Sequence, residues 1–578
     1  MYAKVDLQLK NVDAELSRIR ETEWDAIILS SWFDSGDLLS PTPGPVVLAE
    51  STIKSLRTVA QSLTAGGLLF IYGAPHRLPY YSAVLDELGN EEWKLEFKYW
   101  IGTHLNNQER RSTLYPAHVG ILLFHKVGEA ASQFELGKSV RVPYSYCPAC
   151  GKNVRDWGGK KHLMHPEGAA LSDVWLDLPM RPIAGNRMPG DVLERVKNMA
   201  GGSSQNVLHL IEGDSARVLA PRNRDAKLEI VSPVLETTNS QPALDQVIAA
   251  DCISYMEGLL PDFENKAFDL VFADPPYNLD KLYTNYNDAH SPESYLAWCD
   301  KWLELCARLL KPGGSLYVVN LPKWSVHHAR TLDRHLDFRH WVVWQALAEP
   351  RGKLLPAHYS LLYYTKPGAP PVFNYRGDGS RNCVGPLDSL EYCLRADCVR
   401  KRKGKGDDKK VPLTDIWSDI YRIRHKRDRD HHPCQLPEKL MERIIMLSSK
   451  PGQVVFDPLC GAGTTAVAAK RMGRHFLTID VDPTYVEITK DKLDRMEFNL
   501  RETGKYAVPR IAVKRESRPV TKRHIESIVQ QMALELGRMP KLDDIKDAYP
   551  EMFEEIGKLY PNPRKVLAAA KVVLAKND

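Results

Sequence analysis

Six landmarks recur along this 578-residue chain at a nearly constant spacing. Trp24–Phe33 parallels Phe268–Tyr277 at an offset of 244. LTAGGLLFIYG at Leu63–Gly73 parallels LKPGGSLYVVN at Leu310–Asn320, offset 247. Pro116-Ala117-His118 answers to Pro356-Ala357-His358, and Tyr146-Cys147 to Tyr392-Cys393. Ser172-Asp173-Val174-Trp175 matches Thr414-Asp415-Ile416-Trp417, and Met188-Pro189 matches Leu436-Pro437. Each match is weak alone, but six in the same order imply one domain written twice.

Within each copy the pattern runs strand, helix, strand. Asp269–Ala273 is a short, mostly apolar run, as a buried parallel strand should be. Leu296, Trp302, Leu303, Cys306 and Leu309 repeat at helical spacing before the Lys311-Pro312-Gly313-Gly314 stop, and Leu316–Val319 is the next strand. Alternation of this kind predicts an α/β fold, a doubly wound Rossmann-like sheet, present as two tandem copies. The expected organisation is a first copy over 1–220, a linker over 221–245, a second copy over 246–500 and a helical module over 510–578. The tail's Ile525, Ile528, Val529, Met532 and Leu536 have helical spacing; a second helix is expected over Leu542–Tyr549 and a third over Asn562–Ala575. That module resembles small helix-turn-helix units beside DNA-processing enzymes as much as a bundle packed on the body.

No apolar run approaches the ~20 residues needed to span a bilayer, and the first twenty residues lack an apolar signal core. An intracellular, cytoplasmic protein is expected, with ten mostly reduced cysteines. The net charge of +5 is concentrated. Residues 400–429 hold twelve Lys/Arg and five acids, a local +7, so the rest of the chain is slightly acidic. Such a segment suggests a polyanion contact through Arg400, Lys401, Arg402, Lys403, Arg422 and Arg424. Its Gly-punctuated RKRKGKGDDKK run reads as a loop.

Two motifs carry chemistry. In Val454–Thr465 an apolar strand enters a turn with Gly461 and Gly463 and then a helix, so backbone can approach a ligand at a helix N-terminus. The next strand, Arg474–Asp480, ends in a carboxylate placed to hold ribose hydroxyls. Together these suit an adenosine-containing ligand bound by Phe456, Asp457, Pro458, Gly461, Gly463, Thr464 and Asp480. The other motif, Asp274-Pro275-Pro276-Tyr277, stands at a strand's carboxyl end. Two prolines stiffen the turn and remove two N–H donors, which leaves the Asp274 carboxylate and Pro275 carbonyl as acceptors beside the flat ring of Tyr277. Acceptors beside a ring fit an extruded base with an exocyclic amine.

Asp-Pro-Pro-Tyr, then Lys-Pro-Gly-Gly, then His432-Pro433-Cys434-Gln435-Leu436-Pro437, then Phe456 with Gly461 and Gly463, resembles the amino-group DNA methyltransferases. The catalytic motif precedes the cofactor loop, the β-class order of restriction–modification N6-adenine and N4-cytosine enzymes. The resemblance covers about residues 245–495. It implies S-adenosylmethionine as methyl donor, double-stranded DNA as substrate, a target-recognition segment at 370–430 and a companion restriction or defence nuclease. Asp rather than Ser before Pro-Pro favours adenine N6 over cytosine N4. Asp251 falls where the family often has an acidic cofactor contact. Leu436 departs from a Lys common there. A non-catalytic nucleic-acid-binding protein on the same scaffold is the alternative.

The first copy lacks this chemistry. Ser30-Ser31-Trp32-Phe33 replaces Asp-Pro-Pro-Tyr, and Val207–Asp214 has no Gly-x-Gly. One active site per chain is expected, with the first copy a fused pseudo-partner in a monomer. Cys147-x-x-Cys150, with His162 and His165 downstream, and Cys393-x4-Cys398 read as turn knuckles to which no metal is assigned. A four-cysteine site shared between the copies is the alternative.

Overall fold

A computed structural model describes residues 6–9, 19, 22–31, 44–89, 92–106, 114–128, 134–137, 141–155, 164–182, 187–201, 206–212, 242–279, 289–346, 354–375, 387–407, 411–423, 435–503, 522–536, 538–549, 553, 556, 560 and 563–567. Most of the expected linker, 221–245, lies outside these residues. Two mixed sheets dominate the main body. The first contains β1 (Asp6–Leu9), β2 (Trp24–Ser30), β3 (Leu63–Gly73), β4 (Trp93–Asn106), β5 (His118–Gly128), β6 (Val174–Trp175) and β7 (Val207–Glu212), in the order β1-β7-β2-β3-β5-β4-β6, with Arg181–Pro182 also on β4. The second contains β8 (Gln246–Ala249), β9 (Phe268–Ala273), β10 (Leu310–Asn320), β11 (Asp337–Gln345), β12 (His358–Thr365), β13 (Ile416–Trp417), β14 (Val454–Asp457) and β15 (His475–Asp480), in the order β8-β15-β14-β9-β10-β12-β11-β13.

From β2 and from β9 onward the two orders coincide strand for strand, and β12 and β5 are the antiparallel members next to β10 and β3. The strands are apolar on both faces because helices cover them. Leu270, Val271 and Phe272 of β9 are buried, as are Ile27, Ile28 and Leu29 of β2. Helices α1 (Leu78–Asp86), α2 (Cys252–Phe263), α3 (Pro292–Leu309) and α4 (Pro322–Leu332) connect these strands. Ser291 and Asp251 cap α3 and α2 by accepting the N–H of Ser294 and Ser254.

The halves share one continuous core that includes Leu56 and Trp100 from the first and Trp302 and Trp341 from the second. Their contacts are reciprocal. The Asp415 carboxylate accepts the Ala117 N–H at 2.8 Å, and the Asp173 carboxylate accepts the Ala357 N–H at 2.7 Å. Tyr115 N–H donates to the Leu413 carbonyl, and Leu355 N–H to the Leu171 carbonyl. The Trp100 and Trp341 rings stack at 3.8 Å with planes 5° apart. Contacts in which residue i meets j while j's counterpart meets i's are the signature of an isologous interface, here within one chain. His118 sits in this seam. It accepts from Trp100 Nε1 and its Nδ1 lies 3.1 Å from the Trp341 carbonyl, while burial pulls its pKa down to about 4 and keeps the ring neutral.

The 400–407 run was expected as a loop, and here the structure differs. Ala396–Gly404 is a helix, α5, and Cys398 in its first turn is buried. Arg and Lys are good helix formers, so two buried anchors, Cys398 and Arg402, are enough to order the run. The C-terminal region forms its own unit from Val508, with helices Lys522–Leu536 and Leu542–Ala548 close to expectation. Its core joins Ile525, Val529, Met532, Ile545, Ile556, Tyr560 and Val566. The expected third helix is a 3-10 turn at Pro563–Leu567, and 568–578 lie outside the described residues. Among the described residues no helix is long and apolar enough to cross a membrane.

Candidate functional site

In the second sheet β14 and β9 are parallel neighbours, with Val271 opposite Phe456. From β9 the chain moves to β10 on one side, and from β14 to β15 on the other. The crevice outside their carboxyl ends is therefore a topological switch point, where open α/β sheets bind ligands. Both sequence motifs open onto it. Asp274–Tyr277 follows β9, and Pro458–Gly463 follows β14. The Asp480 end of β15 stands one strand further, about 10 Å from β9 at ~4.8 Å per strand. Asp251 stands one strand beyond that, after β8.

The lip after β9 is held from below. Tyr295 of α3 donates its hydroxyl to the Pro276 carbonyl at 2.6 Å, and Asn320 at the end of β10 donates to the Tyr295 oxygen at 3.0 Å. Trp324 of α4 donates Nε1–H to the Tyr277 carbonyl at 2.8 Å. These bonds take up the last two carbonyls of the motif and leave the Pro275 carbonyl without a donor among the described residues. The Tyr277 hydroxyl donates to the Asp274 carboxylate at 2.6 Å and so restrains this half-buried acid. Tyr295, Asn320 and Trp324 escaped sequence reasoning because they act through folded backbone and match no motif.

The lip after β14 is a tight Gly turn leading into α6 (Thr464–Arg471). Gly461 and Gly463 have φ of 48° and 76°, and a Cβ on Gly463 would come within 2.3 Å of Thr489 on α7 (Pro483–Thr503). Glycine is required there by backbone conformation and by helix packing alike. Lys492, buried on α7, donates to the Ala462 carbonyl and fixes the loop's crown. Asp480 accepts the N–H groups of Gly461 and Asp482, both at 2.8 Å. A carboxylate has about four lone-pair sites, so two remain for hydroxyl donors of a ligand. Burial pushes the Asp480 pKa up, against the two backbone N–H groups that pull it down.

A family model described as DNA methylase, of the N6/N4 type, matches residues 268–491, which include both lips. The type II methyltransferase M.HpaI of Haemophilus parainfluenzae is 32% identical over 245 residues, which cover 42% of this chain and 72% of that protein. The chain belongs to this DNA methylase family. M.BamHI of Bacillus amyloliquefaciens, also a type II methyltransferase, is 38% identical over 266 residues, or 45% of this chain; the chain spans only 60% of M.BamHI's length. The solved M1.HpyAVI–SAM complex aligns at 18% identity and a TM-score of 0.31, covering 43% of this chain and 98% of that one.

In the folded chain the expected site residues divide. Asp274, Pro275, Gly461, Gly463, Thr464 and Asp480 all stand at or just after the carboxyl ends of β9, β14 and β15. Phe456 is fully buried and stacks on Phe268 at 4.1 Å, so its ring belongs to the sheet core. Asp457 is also internal. It accepts from Thr465 Oγ1 and the Leu459 N–H, and burial pushes its carboxyl up to about 7, so it shapes the loop. Tyr277 was expected to offer an open ring face. Its ring is 3% exposed and packs 5.4 Å from Tyr359, so the hydroxyl is its working end. Asp251 caps α2 through Ser254 and is exposed beside the end of β15, three strands from β9.

On the basic segment, Arg400, Lys401 and Lys403 are exposed on α5, whereas Arg402 is 3% exposed with its guanidinium 4.4 Å over the Tyr392 ring. Arg402 is therefore a packing residue. Arg422 is half-buried; Arg424, His432, Pro433 and Cys434 lie outside the described residues. At the matching place in the first sheet, the Ser30 hydroxyl lies 3.1 Å from His209 Nε2, both buried. Trp32, Phe33, the Glu212 side chain and Gly213-Asp214 lie outside the described residues.

Proposed function

We propose that this chain is an S-adenosylmethionine-dependent DNA methyltransferase that modifies the exocyclic amine of a flipped base, adenine N6. One observation carries the reading. The acceptor motif, Asp274 and Pro275, and the Gly461–Asp480 segment follow the carboxyl ends of neighbouring strands at the switch point of one sheet. The residues suit the cofactor: Asp480 keeps acceptor capacity for ribose hydroxyls, and the Gly loop lets a nucleoside approach backbone at the start of α6. When bound, the cofactor supplies an electrophilic methyl group on a sulfonium. An aromatic amine is a poor nucleophile because its lone pair is delocalised into the ring. N–H bonds to Asp274 and to the Pro275 carbonyl turn that lone pair toward the methyl carbon. As the methyl group is transferred to the amine, the amine proton would leave along its hydrogen bond to the Asp274 carboxylate. Rigid placement by two prolines, Tyr295 and Trp324 is the protein's main contribution. Asp in place of Ser supports adenine; cytosine N4 is the competing outcome.

The first half is a non-catalytic copy of the same domain. Its shared strand order and the reciprocal seam support this, as does the Ser30–His209 pair where an acidic acceptor would be needed. It serves as an internal partner, so the chain works as a monomer with one site. Incubation with tritiated S-adenosylmethionine and unmethylated DNA, followed by nucleoside analysis, should place label in N6-methyladenine. Label in N4-methylcytosine would correct the base, and no label with any DNA would overturn the enzyme reading.

A further inference from the structure

The first half contributes the turn Cys147-Pro148-Ala149-Cys150-Gly151. The Cys147 carbonyl accepts the N–H groups of Cys150 and Gly151, at 3.3 and 2.8 Å, and the Cys147 N–H donates to the Lys152 carbonyl at 2.8 Å. Gly151 closes the turn at φ 66°, a left-handed conformation. A turn this tight projects both sulfurs to one side. The second half contributes Cys393 and Cys398, the latter in the first turn of α5. The two pairs meet. Cys147 Sγ lies 3.8 Å from Cys398 Sγ, Cys150 Sγ lies 3.6 Å from Cys393 Sγ, and all four sulfurs fall within 4.8 Å of one another.

These separations exclude disulfides, which need about 2.05 Å. They match a metal tetrahedron. Four sulfurs each ~2.3 Å from a central zinc are ~3.8 Å apart. Three of the four cysteines are buried and the fourth is half-buried, with Val154 and Tyr392 packed around them. Among the described residues no imidazole joins the cluster. His165 is exposed in a turn, where its backbone N–H donates to the Tyr144 hydroxyl, and His162 lies outside the described residues. Arg395 ties the two segments together beside the sulfurs, donating to the Asn153 carbonyl at 2.7 Å. Four thiolates around a divalent ion carry a net −2. The N-terminus of α5, in whose first turn Cys398 stands, offsets part of that charge.

We infer that Cys147, Cys150, Cys393 and Cys398 bind one structural zinc ion that clamps the two halves together and anchors α5. Neither half holds more than two of the ligands, so the site exists only when both are folded against each other. The ion is closed off by four protein ligands, with no open position, which makes it structural rather than catalytic. Tetrahedral four-sulfur sites select zinc or iron; a closed four-cysteine site with no open position is a common structural zinc arrangement. The anchored helix presents Arg400, Lys401 and Lys403 to solvent, so the metal also sets where that charge is displayed.

The full-length chain, purified without metal-chelating resin, should contain one zinc per chain by inductively coupled plasma mass spectrometry. Titration of its thiols with an organomercurial should release that zinc in step with modification of four cysteines. Cobalt exchanged into the wild-type chain should show the sulfur-to-metal charge-transfer and d–d absorption of a tetrahedral four-thiolate site, which needs no variant to fold. The Cys147→Ser and Cys398→Ser variants should each lose the metal, and hydrogen exchange should show α5 amides losing at least tenfold protection when zinc is removed. Less than 0.1 metal per chain, iron in place of zinc, zinc retained in a Cys147→Ser/Cys398→Ser double variant, or unchanged α5 protection after zinc removal would each overturn the inference.

Discussion

The reciprocal seam makes a quantitative demand on stability. Asp415 is 4% exposed; one carboxylate oxygen accepts the Ala117 N–H at 2.8 Å and the other lies 3.4 Å from His340 Nδ1. Asp415→Ala leaves a buried N–H with no acceptor. Removing a charged acceptor from such a group costs about 1.5–3 kcal/mol. The space left by a carboxyl group adds about 1 kcal/mol at ~24 cal/mol per Å³. The expected loss is therefore about 2.5–4 kcal/mol. The main body has about 500 residues, so its unfolding entropy near the midpoint is about 1 kcal/mol/K and Tm should fall by about 3 °C. Asp415→Asn keeps an oxygen for Ala117 and should lose about half as much. Because the halves share one core, differential scanning calorimetry of the main body should show one transition that moves as a unit. The symmetry-related Asp173→Ala should lower it by a similar amount. A shift under 0.5 °C for Asp415→Ala, or two separable main-body transitions with only one displaced, would show that the halves are independent globules.

Asp274→Ala should reduce methyl transfer below detection, whereas Ser30→Ala leaves it nearly intact, and equilibrium dialysis should find one S-adenosylmethionine per chain; two cofactors, or activity surviving in Asp274→Ala, would sink the single-site reading. Tyr277→Phe removes the 2.6 Å bond that orients Asp274, so kcat should fall about tenfold, or ~1.4 kcal/mol, with cofactor affinity unchanged; a selective loss of cofactor binding would contradict that role. Burial raises the folded-state carboxyls of Asp86, Asp333 and Asp457 to about 6, 7 and 7, well above an unfolded value near ~4. The folded state then binds the extra protons, so these groups favour folding fully below about pH 4, and stability should decline as pH rises from ~4 to ~7. In Asp333→Asn that decline should be shallower in urea-melting midpoints, and an unchanged slope would exclude Asp333 as a contributor. Replacing the exposed Arg400, Lys401 and Lys403 by Ser should flatten the salt dependence of DNA binding by filter assay, while Arg402→Ser should lower Tm instead. The same salt slope in the triple variant would assign these charges to solvent alone.

The sequence by itself determined the sheets and their chemistry-bearing turns. Apolar strand runs, the Lys-Pro-Gly-Gly stop, Asp-Pro-Pro-Tyr and the Gly461–Gly463 turn are local signals. Local backbone preferences and hydrophobic periodicity fix such features without distant partners. The 244-residue recurrence was legible too, but its meaning was not. Pro-Ala-His and Thr-Asp-Ile-Trp looked like separate echoes, yet Ala117 meets Asp415 and Ala357 meets Asp173. Only the folded chain shows that each landmark of one half is the partner of the other landmark in the opposite half. Tertiary packing also decided which candidates face the crevice. Phe456 and Asp457 sit in the same motif as Gly461, but a strand's alternation and its helix cover turn them into the core. The basic run reads as a loop because charge has no period, and burial of Cys398 and Arg402 makes it a helix. The four thiols come from segments some 245 residues apart, a distance across which spacing rules carry no information. Burial and long-range proximity are properties of the assembled structure, and they decided every role that the motifs left open.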